Sequence, residues 1–106
     1  MWNVDPKILC RQHLLGEHRE MHALIGSLRK GRSIKGHIEK GQVEVHNILK
    51  RHDALAKEIL RRGWRHIKPL SAKGVKLYKA GKVDSAENKK ELGRRCPECR
   101  ILQGKI

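Results

Sequence analysis

Residues 12–30 read QHLLGEHREMHALIGSLRK, and their spacing predicts the principal helix of the protein. At about 100° per residue, four apolar side chains fall on one narrow stripe around His18: Leu14, Met21, Ile25 and Leu28. Such a stripe is typical of a helix that packs one face against a core. Asp5-Pro6 is suited to begin the helical segment, because Asp caps a helix and Pro fits its first position. We expect helix to about Lys30, interrupted by a loop near residues 10–12.

Two further helices are predicted downstream. An amphipathic segment runs from about Gln42 to Arg62, and Gly63 follows its basic end as at many helix C-termini. Asp84, with Glu87 three residues later, resembles a capping box and begins a short helix that ends near Gly93 or Arg95. The apolar face of the longer helix, which includes His52, is formed by Val45, Ile48, Leu49, Ala56, Ile59 and Leu60.

The segments between these helices lack a helical or alternating pattern. Residues 31–41 are rich in Gly and Lys, which predicts a loop. We expect residues 64–70 to be extended, residues 71–83 to form a basic connection and residues 96–99 to form a turn. We therefore predict an all-α protein: one small compact domain, 1–106, of two main amphipathic helices and a short C-terminal helix. Within this domain, residues 1–70 form the helical core. Residues 71–106 form the basic connection, the short helix and a Cys-x-x-Cys tail.

The charge balance points to a polyanionic partner. The chain has 106 residues, with 25 Lys and Arg against 11 Asp and Glu, which gives a formal net charge of +14. Such an excess predicts fast, salt-sensitive binding to nucleic acid. With no Phe, one Tyr and two Trp, the chain is poorly equipped to stack several single-stranded bases. No apolar run approaches the roughly 20 residues that span a bilayer. We expect a cytoplasmic, nucleoid-associated monomer with no membrane partner.

One flank of the first helix combines His13, Glu17 and Glu20 beside Gly16, which has no side chain. This flank borders the apolar stripe, where a carboxylate can acquire a useful pKa and still reach a ligand. The alternative is that the two Glu are solvated surface charges. His18 and His52 each lie within an apolar stripe, which favours core or interface histidines over ligands.

The run from Gln12 to Glu20 resembles the first-helix motif of the phage endonuclease V family of pyrimidine-dimer glycosylases. That motif reads Q-H-L-x-x-E-x-R-E, and all six specified positions match. The similarity continues without a gap to Arg29-Lys30. A weaker match, residues 60–64 (LRRGW), resembles that family's leucine, two basic residues, glycine and aromatic residue. The resemblance covers roughly residues 1–67 and ends before Pro69.

The resemblance implies a compact all-α enzyme that cleaves the glycosidic bond at one pyrimidine of a cyclobutane dimer and then breaks the strand by β-elimination. The nucleophile would be the Met1 α-amine, which forms a Schiff base with C1′ of the deoxyribose. An α-amine has a reference pKa of about 7.7–8.0 against about 10.4 for Lys, so it is neutral far more often near pH 7. Glu20 corresponds to the essential carboxylate. Such chemistry needs no cofactor.

The resemblance also implies DNA contacts. Gln12, His13 and Arg19 match positions that contact DNA near the lesion. Arg29 and Lys30 match a basic pair that we assign to phosphate, unless they only complement the helix dipole. The chain departs from the family at Ala23, where an Arg is usual, and in lacking an aromatic-rich C-terminal tail. The bulky Trp2 predicts that Met1 is retained.

The three cysteines suggest a structural zinc site. Cys96 and Cys99 have the Cys-x-x-Cys spacing of half a zinc site, and Cys10 with His13 would complete a Cys₃His set. His13 would then have to act both as a zinc ligand and as a DNA contact. There are three alternatives: a zinc site formed by Cys10, Cys96 and Cys99 with another His, a Cys96–Cys99 disulfide, and free thiols.

Three functions fit these features. The first is a DNA-repair glycosylase and abasic-site lyase on UV-induced pyrimidine dimers, acting on double-stranded DNA that contains dimers or abasic sites. The second is a non-catalytic basic nucleic-acid-binding module with a C-terminal zinc knuckle, although acidic residues on the first helix would repel phosphate. The third keeps the family fold but acts on abasic sites or another base lesion.

Overall fold

Two amphipathic helices pack against each other and build the centre of the protein. The computed structural model describes residues 1–64 and 68–105. It contains five α-helices and two 3₁₀ turns and, within those ranges, no strand, which confirms the all-α class. The helices are α1 (Arg11–Arg29), α2 (Lys35–Glu39), α3 (Ile48–Arg61), α4 (Ser85–Arg95) and α5 (Pro97–Gln103), and the 3₁₀ turns are Pro6–Ile8 and Val45–Asn47.

The core lies between α1 and α3. From α1, three members of the predicted stripe are fully buried, namely Leu14, Met21 and Ile25. From α3, Ile48, Leu55 and Ile59 face them. The predicted interruption is present but lies at residues 9–10 and not 10–12. It separates the 3₁₀ turn, which Asp5 caps through the Lys7 N–H (3.0 Å), from α1, which starts at Arg11.

The second helix begins six residues later than the pattern predicted. Residues 42–44 are not helical, and Val43 and Val45 are both buried there. The Val45 N–H donates to the Ala80 carbonyl (2.9 Å), so tertiary contacts replace the helical bond. A Cβ at Gly81 (φ +89°) would lie 2.0 Å from the Val43 carbonyl oxygen, so this approach requires glycine. Leu60, predicted in the core, is 59% exposed.

Two segments predicted as irregular are helical. Residues 35–39 form one helical turn, α2, after the buried Ile34, and Lys35 and Glu39 pair across it (3.7 Å). The predicted turn at 96–99 instead begins α5, with Cys96 as its N-cap and Pro97 in its first turn. Helix α4 agrees with the prediction, since the Asp84 carboxylate caps it by accepting from the Glu87 N–H (3.0 Å).

Residues 65–67, part of the predicted extended stretch, lie outside the described residues, and residues 68–70 have no regular structure. Residues 71–83 also form no helix or strand, as predicted. Within the described ranges, no helix combines the length and apolar character that a membrane crossing requires.

A buried ion pair joins α1, α3 and the N-terminal segment. Glu17 is 2% exposed and receives two hydrogen bonds from Arg51, from Nε to Oε2 (2.5 Å) and from Nη2 to Oε1 (2.9 Å). The remaining terminal nitrogen of Arg51, Nη1, donates to the Val4 carbonyl (2.6 Å). Glu17, which the helical projection placed on the flank with Glu20, is therefore a structural residue.

Replacing Glu17 with Gln should destabilise the protein by about 3–5 kcal/mol, because it leaves the Arg51 charge buried without its counter-charge. Urea unfolding followed by circular dichroism measures the difference. The control is Glu39→Gln, which removes a carboxylate from a pair whose side chains are 79% and 63% exposed. Its effect should be within about 0.5 kcal/mol. Equal effects of the two substitutions would contradict the structural role of Glu17.

Candidate functional site

The N-terminal amine lies against the carboxylate of Glu20. Glu20 is on α1, and its Oε1 contacts the Met1 nitrogen directly. The same nitrogen donates to the Gln42 carbonyl (2.9 Å). The Met1 side chain is 0% exposed, whereas that of Glu20 is 46% exposed. The amine is thus anchored by a buried side chain and faces a carboxylate that solvent and ligands can reach.

Several side chains fix the path of residues 1–4. Asn88 on α4 donates from Nδ2 to the Trp2 carbonyl (2.9 Å). Val4 is buried, and its carbonyl accepts the Arg51 bond described above. Asn3 has a positive φ of 56°, which lets the chain turn sharply between these two anchors. The amine therefore has a defined position rather than the freedom of an ordinary chain end.

Met1 and Glu20 border an open cavity of about 610 Å³, which we call the N-terminal cavity. Its walls come from α1, from the segment around α2 and from α4. The small side chains Ala23 and Ser27 line it beyond Glu20. Ala23 is the position where the resemblance implies an Arg, and its small side chain leaves open space next to the carboxylate. Lys40 adds positive charge to its lining, whereas the charge of Arg95 is paired with Glu91, which also lines the cavity.

A second concavity, which we call the His13 groove, lies on the other side of Glu20. Its volume is about 750 Å³, and its lining includes Gln12, His13, Arg19 and Glu20. Three of the predicted DNA contacts therefore share a surface with the predicted catalytic carboxylate. Trp2 also lines the groove, and its ring packs edge-on to His13 with 5.7 Å between centroids.

Arg29 and Lys30 are not brought to this surface. Arg29 lies about 13 Å further along α1 than Glu20, at 1.5 Å per residue. Its Nη2 donates to the Ser71 carbonyl (2.7 Å). Both residues are exposed at the end of the helix.

The residues of the N-terminal cavity and its anchors that the sequence reasoning missed include Lys40, Gln42, Asn88 and Arg95. Two of them follow Pro69, where the family resemblance ends. Gln42 acts through its backbone carbonyl, which carries no signal in the sequence. Asn88 and Arg95 are ordinary polar positions on α4, and only tertiary packing directs them toward the N-terminus.

Three histidines meet where α1 faces α3. The rings of His18, His22 and His52 lie 4.7–5.0 Å apart between centroids. The Nε2 atoms of His22 and His52 both contact the Lys68 carbonyl, at 3.1 and 3.2 Å. Burial, followed by repulsion from His52 and His22, lowers the pKa of His18 to about 4. The His18 ring is therefore neutral in the folded protein at neutral pH, as expected for an interface histidine.

This cluster predicts a loss of stability in mild acid. His18 titrates near 6.5 when unfolded, so its contribution is complete above pH 6.5 and is lost as the pH falls toward 4. The full shift would amount to about 3 kcal/mol, and solvent screening at this partly exposed ring reduces it to about 1–2 kcal/mol. Urea unfolding at pH 7 and pH 4.5 measures the difference.

The matched control for the pH dependence is His18→Leu, which keeps the apolar stripe and removes the titrating ring. His22, His52, Lys68 and the Asp53 carboxylate beside His52 all remain in that variant. We expect the variant to lose less stability than the parent between the two pH values. An identical loss in both proteins would assign the acid sensitivity to other groups.

The predicted Cys and His residues lie together at the starts of α1 and α5. The sulfur atoms of Cys10, Cys96 and Cys99 and a ring nitrogen of His13 all lie within 4.8 Å of one another, a grouping that could hold a metal ion. Cys10 and Cys99 are buried. Burial raises the pKa of the Cys99 thiol to about 12. The Cys96 pKa is lowered, chiefly by the hydrogen bond from the Cys99 backbone N–H.

Comparison with known proteins agrees with the motif. The family model described as pyrimidine dimer DNA glycosylase matches residues 1–72. This range holds α1–α3, the Met1 amine and Glu20, and it ends before α4. Comparisons with curated proteins and with solved structures gave no match.

Proposed function

The chain belongs to the pyrimidine dimer DNA glycosylase family, and we propose that it is a bifunctional glycosylase and abasic-site lyase that acts on UV-induced cyclobutane pyrimidine dimers. Its substrate is double-stranded DNA, and its nucleophile is the α-amine of a retained Met1. The observation that carries the proposal is the contact between the Met1 nitrogen and Glu20 at the edge of the N-terminal cavity.

The first step needs an unprotonated amine. In the contact, Glu20 can accept the proton that the Met1 ammonium must lose. The nitrogen lone pair then attacks C1′ of the deoxyribose, and the C1′–N bond to the pyrimidine breaks with its electron pair leaving on the base. Positive charge develops at the sugar during this exchange. Glu20 passes the proton that it accepted to the departing base and becomes negatively charged again. Its negative charge then stabilises the positive charge at the sugar.

The second step breaks the strand. The sugar ring then opens: the C1′–O4′ bond breaks, O4′ keeps its electron pair and takes up the proton that the attached Met1 nitrogen has released, and the nitrogen lone pair forms an iminium with C1′. This iminium acidifies the C2′ proton, which Glu20 is placed to remove. The electron pair left at C2′ then forms a C2′–C3′ double bond, and the 3′ phosphate leaves. Hydrolysis of the Schiff base frees the amine for another cycle. The reactive groups for both steps come from this chain, so the proposed chemistry needs no cofactor.

DNA would approach Glu20 along the His13 groove. Gln12, His13 and Arg19 are the residues that we assign to contacts near the lesion, as the family motif implies. An enzyme that must reach C1′ in a duplex commonly extrudes a nucleotide. The N-terminal cavity, at about 610 Å³, has the size of a small-molecule pocket and could receive an extruded base. Lys40 supplies positive charge for the adjoining phosphates, and Arg29 and Lys30 would bind phosphate further along the duplex.

The deciding experiment is borohydride trapping with the native N-terminus. The protein is mixed with a duplex that holds one thymine dimer, and parallel reactions use an abasic-site duplex and an undamaged one. We expect an adduct on the dimer duplex, mapped by mass spectrometry to the Met1 nitrogen, and none on undamaged DNA. An adduct on the abasic duplex alone would make the protein a lyase for abasic sites. No adduct on either damaged duplex, from folded protein that binds DNA, would leave the non-catalytic binding module.

A further inference from the structure

We propose that Cys10, His13, Cys96 and Cys99 form a structural zinc site that fastens the C-terminal helix α5 to the start of α1. The proposal does not rest on the glycosylase function, and its test requires no DNA. Cys₃His is a common ligand set of structural zinc sites, which are almost always tetrahedral.

The four residues form two matched pairs. Cys10 is the N-cap of α1, and His13 is the third residue of that helix. Cys96 is the N-cap of α5, and Cys99 is its third residue. Each pair therefore has the three-residue spacing that turns two side chains toward one point at the beginning of a helix. The two helix starts face each other, although 86 residues separate Cys10 from Cys96.

The distances suit a tetrahedral ion. With Zn–S bonds of about 2.3 Å, tetrahedral ligand sulfurs lie roughly 3.8 Å apart. The Cys10 and Cys96 sulfurs are 3.9 Å apart, and His13 Nδ1 is 3.1 Å from the Cys10 sulfur and 3.5 Å from that of Cys99. A disulfide would join two of these sulfurs and leave the third cysteine and His13 without a role. A single ion uses all four groups.

Backbone N–H groups surround the sulfurs with hydrogen-bond donors. The Cys10 N–H points to the Cys99 sulfur (3.2 Å), and the Cys99 N–H points to that of Cys96 (3.4 Å). The His13 N–H lies 3.5 Å from the Cys10 sulfur. Hydrogen-bond partners beyond the ligands orient the ligand atoms of a metal site in this way.

The geometry also resolves the competition for His13. It is Nδ1 that faces the sulfurs. Zinc bound at Nδ1 would fix the tautomer with a hydrogen on Nε2, which remains able to donate to a ligand. His13 also lines the groove next to Glu20. One imidazole can therefore hold the metal and contact DNA, and the zinc site would set the orientation of a residue in the DNA-binding surface.

Metal content and cobalt spectroscopy of the full chain test the proposal. The purified, reduced protein is stripped with a chelator and titrated with Zn²⁺, and bound metal is quantified after gel filtration. We expect one tightly bound zinc per chain. Replacement by Co²⁺ should give the visible bands of tetrahedral cobalt together with thiolate charge-transfer absorption. Failure to bind zinc, or an octahedral cobalt spectrum without thiolate absorption, would overturn the proposal without requiring any variant to fold.

Three variants assign the ligands. Cys96→Ser, Cys99→Ser and His13→Asn should each weaken zinc binding by more than about 100-fold, because changes even outside the ligand shell cost about 10–100-fold. His22→Asn is the matched control, since it disrupts the histidine cluster, which among residues 1–64 and 68–105 is the second grouping close enough to bind metal. It should retain full affinity. Zinc that is lost in His22→Asn and kept in the cysteine variants would place the metal at the histidines and refute the Cys₃His site. Circular dichroism confirms that each variant is folded.

Discussion

Glu20→Gln should lower strand cleavage and borohydride trapping by at least about 100-fold, the usual cost of removing one charge-stabilising group from an active site. Glutamine keeps the size of the side chain but can neither accept the amine proton nor balance positive charge at the sugar. Binding to dimer-containing duplex should persist, because the substitution removes a negative charge from a DNA-facing surface. Single-turnover cleavage and an electrophoretic mobility shift measure the two properties separately.

The control for this variant is Glu87→Gln. Glu87 is an exposed carboxylate in the first turn of α4, and it lines neither the N-terminal cavity nor the His13 groove. Its loss changes the net charge by the same amount and should leave cleavage unaltered. If Glu20→Gln cleaved as fast as this control, the carboxylate would have no part in the reaction.

A Gly-Ser extension before Met1 should abolish trapping at the N-terminus and reduce cleavage by at least about 100-fold, as expected when the nucleophile of a covalent mechanism is lost. The extension converts the Met1 amine to an amide, which is not nucleophilic. It also moves the new amine away from Glu20, because the Met1 side chain is buried and holds the first residue in place. Trapping on dimer and abasic duplexes measures the effect.

The same Gly-Ser extension placed after Ile106 is the matched control, and it should trap like the unmodified chain. Two results would contradict the expected loss of trapping. Full trapping that maps to a lysine in the N-terminally extended protein would identify a different nucleophile. Trapping that maps to the new glycine would show that the site tolerates displacement of the amine.

The sequence predicted those features of the fold that depend on interactions between side chains and backbone within one helix. The stripe of α1 and the caps at Asp5 and Asp84 depend on neighbours within a few residues, and all three appear in the structure. The start of α3 could not be predicted, because residues 42–44 are not helical and the Val45 N–H donates to the carbonyl of the distant Ala80. Helical periodicity contains no information about such partners.

The same distinction applies to the candidate site. Spacing within α1 placed Glu17 and Glu20 on one flank, but it could not say which of the two is covered. Arg51, 34 residues away, buries Glu17 and leaves Glu20 as the accessible carboxylate. The spacing of Cys10 with His13, and of Cys96 with Cys99, correctly predicted that the members of each pair lie together, because residues i and i+3 are neighbours at a helix start. The meeting of the two pairs at opposite ends of the chain is a tertiary feature.

The hydrogen bond from Asn88 to the Trp2 carbonyl connects the order of synthesis to the order of assembly. A ribosome makes the N-terminal amine first and Asn88 more than eighty residues later. A chain without α4 therefore carries this amine but lacks the Asn88 hydrogen bond that helps to fix the path of residues 1–4. The position of the N-terminal amine beside Glu20 therefore depends in part on a helix that lies outside the family-matched residues 1–72.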